Sequence, residues 1–246
     1  MNNISPILNV MIKAVEKASK ILIRDFGELE NLQVTQKGPK DFVTSSDKKV
    51  EKILIEELEK SRKNFSFLTE ENGKIENKDK NNIWIIDPID GTNNFLHGIP
   101  HFSISVGLKS DNEIIAGVIL DPIKNELFYG EIDKGAYFNN HRIRVSKKNK
   151  LAECLFSSNS NEIDPKDLSI RNLGSAALDM AYVGAGRLDG YFQKNLHIWD
   201  IAAGIIIVKE AGGMINDLNL SQIENLKIIA SSNTINGKML EKLGNF

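Results

Sequence analysis

Cysteine is all but missing from this chain: Cys154 is the one thiol in 246 residues. A single cysteine closes no intramolecular disulfide and builds no cysteine-rich zinc cluster. Flanked by Leu155 and Phe156, it reads as a small core residue. Nothing here calls for an oxidising compartment. A charge surplus is missing too. Thirty-one Lys plus Arg face 33 Asp plus Glu, a net −2, so nucleic acid is not indicated as a partner. Long apolar runs are also absent. The late run at 205–208 is far short of the roughly 18 residues that a membrane helix requires. The opening Met1-Asn2-Asn3-Ile4-Ser5-Pro6 lacks the basic stretch of a secretory signal, and Lys13 interrupts the next apolar stretch. The expected location is the cytosol, with no membrane partner.

What is present is ordinary for a globular protein: 41% hydrophobic and 26% charged residues. The length suits one large domain or two small ones. Leu8, Met11, Ile12, Val15, Ser19, Leu22 and Phe26 keep a helical period that Gly27 would end. Thr44-Ser45-Ser46-Asp47 offers N-caps for a second helix, with Val50, Ile53, Leu54 and Leu58 as its buried stripe. Residues 65–68 and 83–86 read as short strands. Residues 102–145 alternate apolar stretches with turn signals such as Asp133-Lys134-Gly135 and Asn139-Asn140, an antiparallel meander. Helical patterns return at 175–186 and 200–211, the latter ended by Gly212-Gly213, with strands near Tyr191 and Ile228. The polar stretch 146–150 marks a boundary. It predicts an α+β half over 1–147 and an α/β half over 148–246.

The chemistry gathers at Asp87-Pro88-Ile89-Asp90-Gly91-Thr92-Asn93, where an apolar strand ends in two carboxylates. Asp-Pro and Asp-Gly are also turn dipeptides, so a plain strand-ending turn is the simpler reading. The alternative is that both carboxylates face one point beyond the strand, with the Gly91 and Thr92 amides aimed there as well. Such a place suits a cation with a bound phosphate. Glu70-Glu71 closes the strand at 65–68, and Asp200 follows Trp199 at the head of a helix, where it would complement the dipole. Several carboxylates in one pocket repel each other and become sensible around a divalent cation. No His or Cys set accompanies them, so the donors are oxygens, which favours Mg²⁺ or Mn²⁺ over zinc.

Together these pieces resemble the inositol monophosphatase family. Asp47, Glu70-Glu71, Asp87-Pro88-Ile89-Asp90-Gly91-Thr92 and Trp199-Asp200-Ile201-Ala202-Ala203-Gly204 occur in its order and spacing. Gly174-Ser175-Ala176-Ala177 and Glu210-Ala211-Gly212-Gly213 match as well. The resemblance covers nearly the whole chain. It implies a layered αβαβα sandwich of the sugar-phosphatase type, with the site between two subdomains. It also implies a Mg²⁺-dependent, lithium-sensitive phosphomonoesterase acting on inositol 1-phosphate or a related polyol or sugar phosphate, and a homodimer. Glu70, Asp87 and the Ile89 carbonyl then look like ligands of a first metal, and Asp87, Asp90 and Asp200 of a second. A third, weaker metal would lie near Glu70. Glu70, Thr92 and Asp47 are implied as catalytic. Asp90, Gly91, Thr92, Asn93, Ser175, Ala176, Gln193 and Asp200 are implied to line the phosphate and substrate.

Two departures stand out. Only 18 positions separate Phe156 from Gly174, where the family carries about thirty, so a helix that shapes the rim or the dimer is expected to be cut down. Gln193 stands where members acting on inositol phosphates have Glu. Other members act on fructose bisphosphate, histidinol phosphate or adenosine 3′,5′-bisphosphate, and bacterial members can serve the transcription and ribosome-assembly machinery. A haloacid-dehalogenase site needs Asp-x-Asp, but Pro88 and Ile89 intervene here. Gly184-Ala185-Gly186 follows a helix rather than a strand, against a dinucleotide site. Gly98 and Pro100 break any helix that would pair His97 with His101.

Overall fold

The computed structural model describes residues 4–29, 34–38, 41–159, 168–244 and 246. Helix α1 (Pro6–Phe26) begins where Ser5 accepts the Leu8 amide at 3.1 Å, and it ends at Gly27. A hairpin of β1 (Val34–Gly38) and β2 (Asp41–Thr44) leads into α2 (Ser45–Ser61). There Thr44 and Asp47 form a capping box. Val50, Leu54 and Leu58 are buried beneath it, while Ile53 is half-buried at the edge.

Strands β3 (Phe65–Thr69), β4 (Gly73–Ile75) and β5 (Asp79–Asp90) are followed by the short helix α3 (Thr92–Leu96). The expected meander comes next as β6 (Ser103–Ser110), β7 (Glu113–Asp121), β8 (Glu126–Glu131), β9 (Gly135–Phe138) and β10 (His141–Arg142). These form one eight-stranded sheet in the order β10-β9-β8-β7-β6-β5-β3-β4. A five-stranded sheet comes after it, built from β11 (Leu155–Ser157), β12 (Ser169–Arg171), β13 (Gly190–Leu196), β14 (Gly213–Ile215) and β15 (Leu226–Ser232). Its order is β12-β11-β13-β15-β14. Helices α4 (Ala176–Gly184) and α5 (Ile198–Glu210) lie between the sheets, and α6 (Asn236–Leu243) closes the chain. The segment expected to lack a helix falls mostly on 160–167, outside the described residues.

Strand alternation separates the layers. Trp84 and Ile86 pack with α1 and α2, whereas Ile85 between them packs with α4 and α5. On the second sheet Tyr191 faces α4 and α5 while Phe192 faces α6, where Cys154 is buried as expected. The layers therefore run helix, sheet, helix, sheet, helix, as the resemblance implies.

The middle layer is unusually close. Gly107, Gly117 and Gly130 are register neighbours on β6, β7 and β8. A Cβ on Gly107 would lie 2.9 Å from the Ala202 Cβ, and one on Gly117 2.6 Å from the Ala203 carbonyl oxygen. The α5 backbone thus rests almost directly on the sheet, with residues 201–208 buried all round. On its other side a Cβ on Gly204 would lie 2.6 Å from Met180 of α4. This seating fixes the N-terminus of α5 beside β6, where the Ser105 hydroxyl donates to the Trp199 carbonyl at 3.5 Å.

Candidate active site

Asp87 and Asp90 are three residues apart, and in a regular strand they would face opposite sides of the sheet. They do not, because β5 carries a bulge there. Asp87 pairs with Ser105 and Asp90 with Ser103, so three steps on β5 oppose two on β6. The extra residue restores the parity, and both carboxylates face the α4–α5 side. Pro88 has no N–H to leave unpaired in the bulge. The Ile89 N–H donates to Asp87 Oδ1 at 3.0 Å, and the Thr92 hydroxyl donates to the Ile89 carbonyl at 2.9 Å. Gly91 has φ of 95°, and a Cβ there would come within 3.1 Å of the His101 carbonyl oxygen and 3.2 Å of the Gly174 carbonyl oxygen. Only glycine turns this corner without strain.

Asp90 is the anchor of α4. Its Oδ2 accepts the Ser175 hydroxyl and the Ala177 amide (2.8 Å), and its Oδ1 accepts the Ala176 amide (3.2 Å). Asp200 is the third residue of α5, which begins two positions earlier than the sequence pattern indicates. His197 is the N-cap and donates its N–H to Asp200 Oδ2 at 2.8 Å. Asp47 Oδ2 accepts the Thr44 N–H at 2.7 Å and its hydroxyl at 2.5 Å, while buried Asp47 Oδ1 has no protein partner. Glu70 follows β3, and its N–H donates to the Ile86 carbonyl at 3.2 Å, which sets it beside Asp87.

The electrostatics are those of crowded, buried acids. Burial first, then Glu70, Asp90, Asp200 and Asp47, raises the Asp87 carboxyl well above the usual carboxylate range. Asp200 is pushed up to about 8 by burial and by Asp90. Asp90 rises to about 6 through burial, against the donors at the head of α4. Asp47 rises to about 6, again chiefly through burial. Asp87, Asp90, Asp200 and one oxygen of Asp47 accept from protein donors. Among the described residues no three His, Cys, Asp or Glu side chains are already gathered as a metal-holding group.

Of these acids, Asp90 and Asp200 line a cleft of about 630 Å³, together with Ser175, Ala176, Asn93, Gln193 and further amide side chains. No Lys or Arg is among its described lining residues. Gln193 is oriented from beneath: the buried Tyr191 hydroxyl donates to its Oε1 at 2.9 Å, which leaves its NH₂ group as the side turned away from Tyr191. The structure thus brings Asp47, Glu70, Asp87, Ile89, Asp90, Gly91, Thr92, Asn93, Ser175, Ala176, Gln193 and Asp200 to one region. Sequence reasoning misses Asn94, Asn159 and Asn172. Asn94 Nδ2 ties the bend after α3 to the chain before α4 by donating to the carbonyls of His101 (2.7 Å) and Leu173 (2.8 Å). Asn159 and Asn172 line the cleft. A lone asparagine in a polar stretch carries no pattern that would single it out.

The sequence matches the model of the inositol monophosphatase family over residues 3–245. It is 42% identical over 254 aligned positions to the inositol-1-monophosphatase of Mesorhizobium japonicum, which covers 96% of each chain. It is 38% identical over 256 positions to the Nus factor SuhB of Pasteurella multocida, covering 97% of this chain and 96% of that one. The crystal structure of the extragenic suppressor protein suhB from Bartonella henselae superposes with a TM-score of 0.92. The identity there is 43%, over 98% of this chain and 99% of that one.

Proposed function

The chain belongs to the inositol monophosphatase family, a family of phosphatases that is generally metal-dependent, and we propose that it hydrolyses the phosphomonoester of a small polyol or sugar. Inositol 1-phosphate is the first candidate, and Mg²⁺ the metal, with Mn²⁺ as a substitute. The observation that carries this reading is a set of buried, mutually repelling carboxylates beside a cleft that has no Lys or Arg among its described lining residues. A phosphate could not approach such a set unless a cation stood between them. The donors fit a hard divalent ion, since all are oxygens and Asp47 Oδ1 has no protein partner.

Glu70, Asp87, Asp90, Asp200 and the Ile89 carbonyl would hold two ions, with a third and weaker one near Glu70. When bound, the metal offsets phosphate charge and lowers the pKa of a bound water. The chain's own residues do the positioning. Thr92 and Glu70 orient the attacking water, with Asp47 beside them. The Gly91, Thr92 and Asn93 amides receive the phosphate, and Ser175 and Ala176 hold Asp90 in place. Gln193 offers N–H donors where a Glu would offer only acceptors, so it selects a substrate oxygen that accepts. Residues 1–147 and 148–246 act as two subdomains, the first bringing Glu70, Asp87 and Asp90 and the second Asp200. A homodimer in the cytosol completes the proposal; light scattering tests the oligomer.

The test is phosphate release from a panel of inositol, sugar, bisphosphate and histidinol phosphates. Activity should require Mg²⁺ or Mn²⁺ and fall with millimolar lithium. Full turnover in excess chelator would sink the reading. A second reading, binding to the transcription or ribosome-assembly machinery, is favoured by the likeness to a Nus factor. It is tested by a pull-down from extract beside the assay.

A further inference from the structure

Glu51 is a fully buried acid that takes no part in the cleft. It sits on α2 beside Val50, where an apolar stripe gives it no obvious place. Its two oxygens collect four donors from one short segment. Oε1 accepts the Thr69 hydroxyl (3.0 Å), the Asn72 N–H (3.1 Å) and the Asn72 side-chain Nδ2 (2.5 Å). Oε2 accepts the Glu71 N–H (2.9 Å). Between these anchors lies Glu70, whose own N–H is held by the Ile86 carbonyl of β5. Glu70 is thus pinned to β5 on one side and to α2 on the other. Asp47 lies one helical turn before Glu51 on the same face of α2, so one helix face addresses both the site and the loop that feeds it.

The clamp needs a carboxylate. Ionised Glu offers about four lone-pair sites and no donor. A Gln would set its NH₂ group against incoming N–H donors. We propose that Glu51 is a positioning residue: by holding residues 69–72 against β5 it aims Glu70 at Asp87 and so sets the metal affinity of the site. This rests on the reading of Glu70 as a metal ligand.

The experiment compares wild type with Glu51→Gln in metal-free form, by hydrogen exchange at the Glu71 and Asn72 amides and by calorimetry with Mg²⁺ alone. Both amides should exchange about tenfold faster in the variant, as a lost bond to a charged group implies. The Leu54 and Leu58 amides of α2 should be unchanged, and Mg²⁺ affinity should fall about tenfold. Wild-type Mg²⁺ affinity in Glu51→Gln overturns the proposal, whatever the amides do. Should that variant fail to fold, Thr69→Val and Asn72→Ala remove donors while keeping Glu51. Each should weaken Mg²⁺ by about threefold, and unaltered affinity in both again overturns it. A wild-type protein that binds no Mg²⁺ fails at the level of Glu70 itself, which separates that failure from this one.

Discussion

At the scale of single residues, Asp90 and Asp200 are both buried acids with different duties. Asp200 takes one amide bond and is pushed up to about 8. Asp90 takes three bonds from the head of α4. Asp200→Asn should therefore lower kcat at saturating Mg²⁺ by at least about a hundredfold. Its melting temperature in chelator should hold or rise, because folding no longer has to put a proton on a carboxyl that ionises near pH 4 when unfolded. Asp90→Asn should lose similar activity and also melt earlier, since an amide NH₂ would face the donors of Ser175, Ala176 and Ala177. Equal melting of the two variants would refute this division. Gln193→Glu should shift the kcat/KM ratio toward inositol 1-phosphate over glycerol 2-phosphate, by roughly fivefold to tenfold, since an ionised acceptor bonds hydroxyls more strongly. An unmoved ratio would remove Gln193 from substrate recognition. The acids themselves were legible in the sequence, by type and spacing. Their common facing was not: a strand pattern places residues three apart on opposite sides, and the bulge that reverses this leaves no mark except the Pro88 that tolerates it.

At the scale of elements, α1 and α2 were legible because amphipathic periods and caps are local signals. The central helix was legible as a helix but not in its depth. Gly107, Gly117 and Gly130 belong to three strands, and only register aligns them under α5. Gly117→Ala should cost about 1–3 kcal/mol in urea unfolding, because its Cβ would meet the Ala203 backbone at 2.6 Å. Gly130→Ala, with 3.3 Å to the Ile207 Cα, should cost clearly less. The first should also lower kcat, by lifting the helix that carries Asp200. Equal losses in the two variants would mean that α5 is not seated on backbone.

At the scale of the whole molecule, the buried acids couple stability to pH and to metal. Unfolded, their carboxyls ionise near pH 4. Folded, Asp200 holds its proton to about 8. Between those values the native state binds more protons, so its metal-free stability falls as pH rises. His101 works the other way. Burial lowers it to about 4, so it adds stability as pH rises to about 6.5 and nothing beyond. The clear window is therefore pH 6.5 to 8.5. There the melting temperature in chelator should decline, while the increment from a fixed excess of Mg²⁺ should grow as protons stop competing for the carboxylates. A metal-free melting temperature that climbs through this window would contradict the raised acids.

The covering of the first sheet also has a bearing on how the chain is made. Strands β3 to β10 are complete at Arg142, yet α5, which packs on β5, β6, β7 and β8 over one face of that sheet, begins at Ile198. At synthesis rates of about 5–20 residues per second, the growing polypeptide carries that face without α5 for several seconds. The β-rich intermediate would then be the stage most exposed to aggregation, and the one at which a chaperone could bind. Chains arrested before residue 198 should bind a hydrophobic dye or a holdase, and the full chain of 246 residues should not.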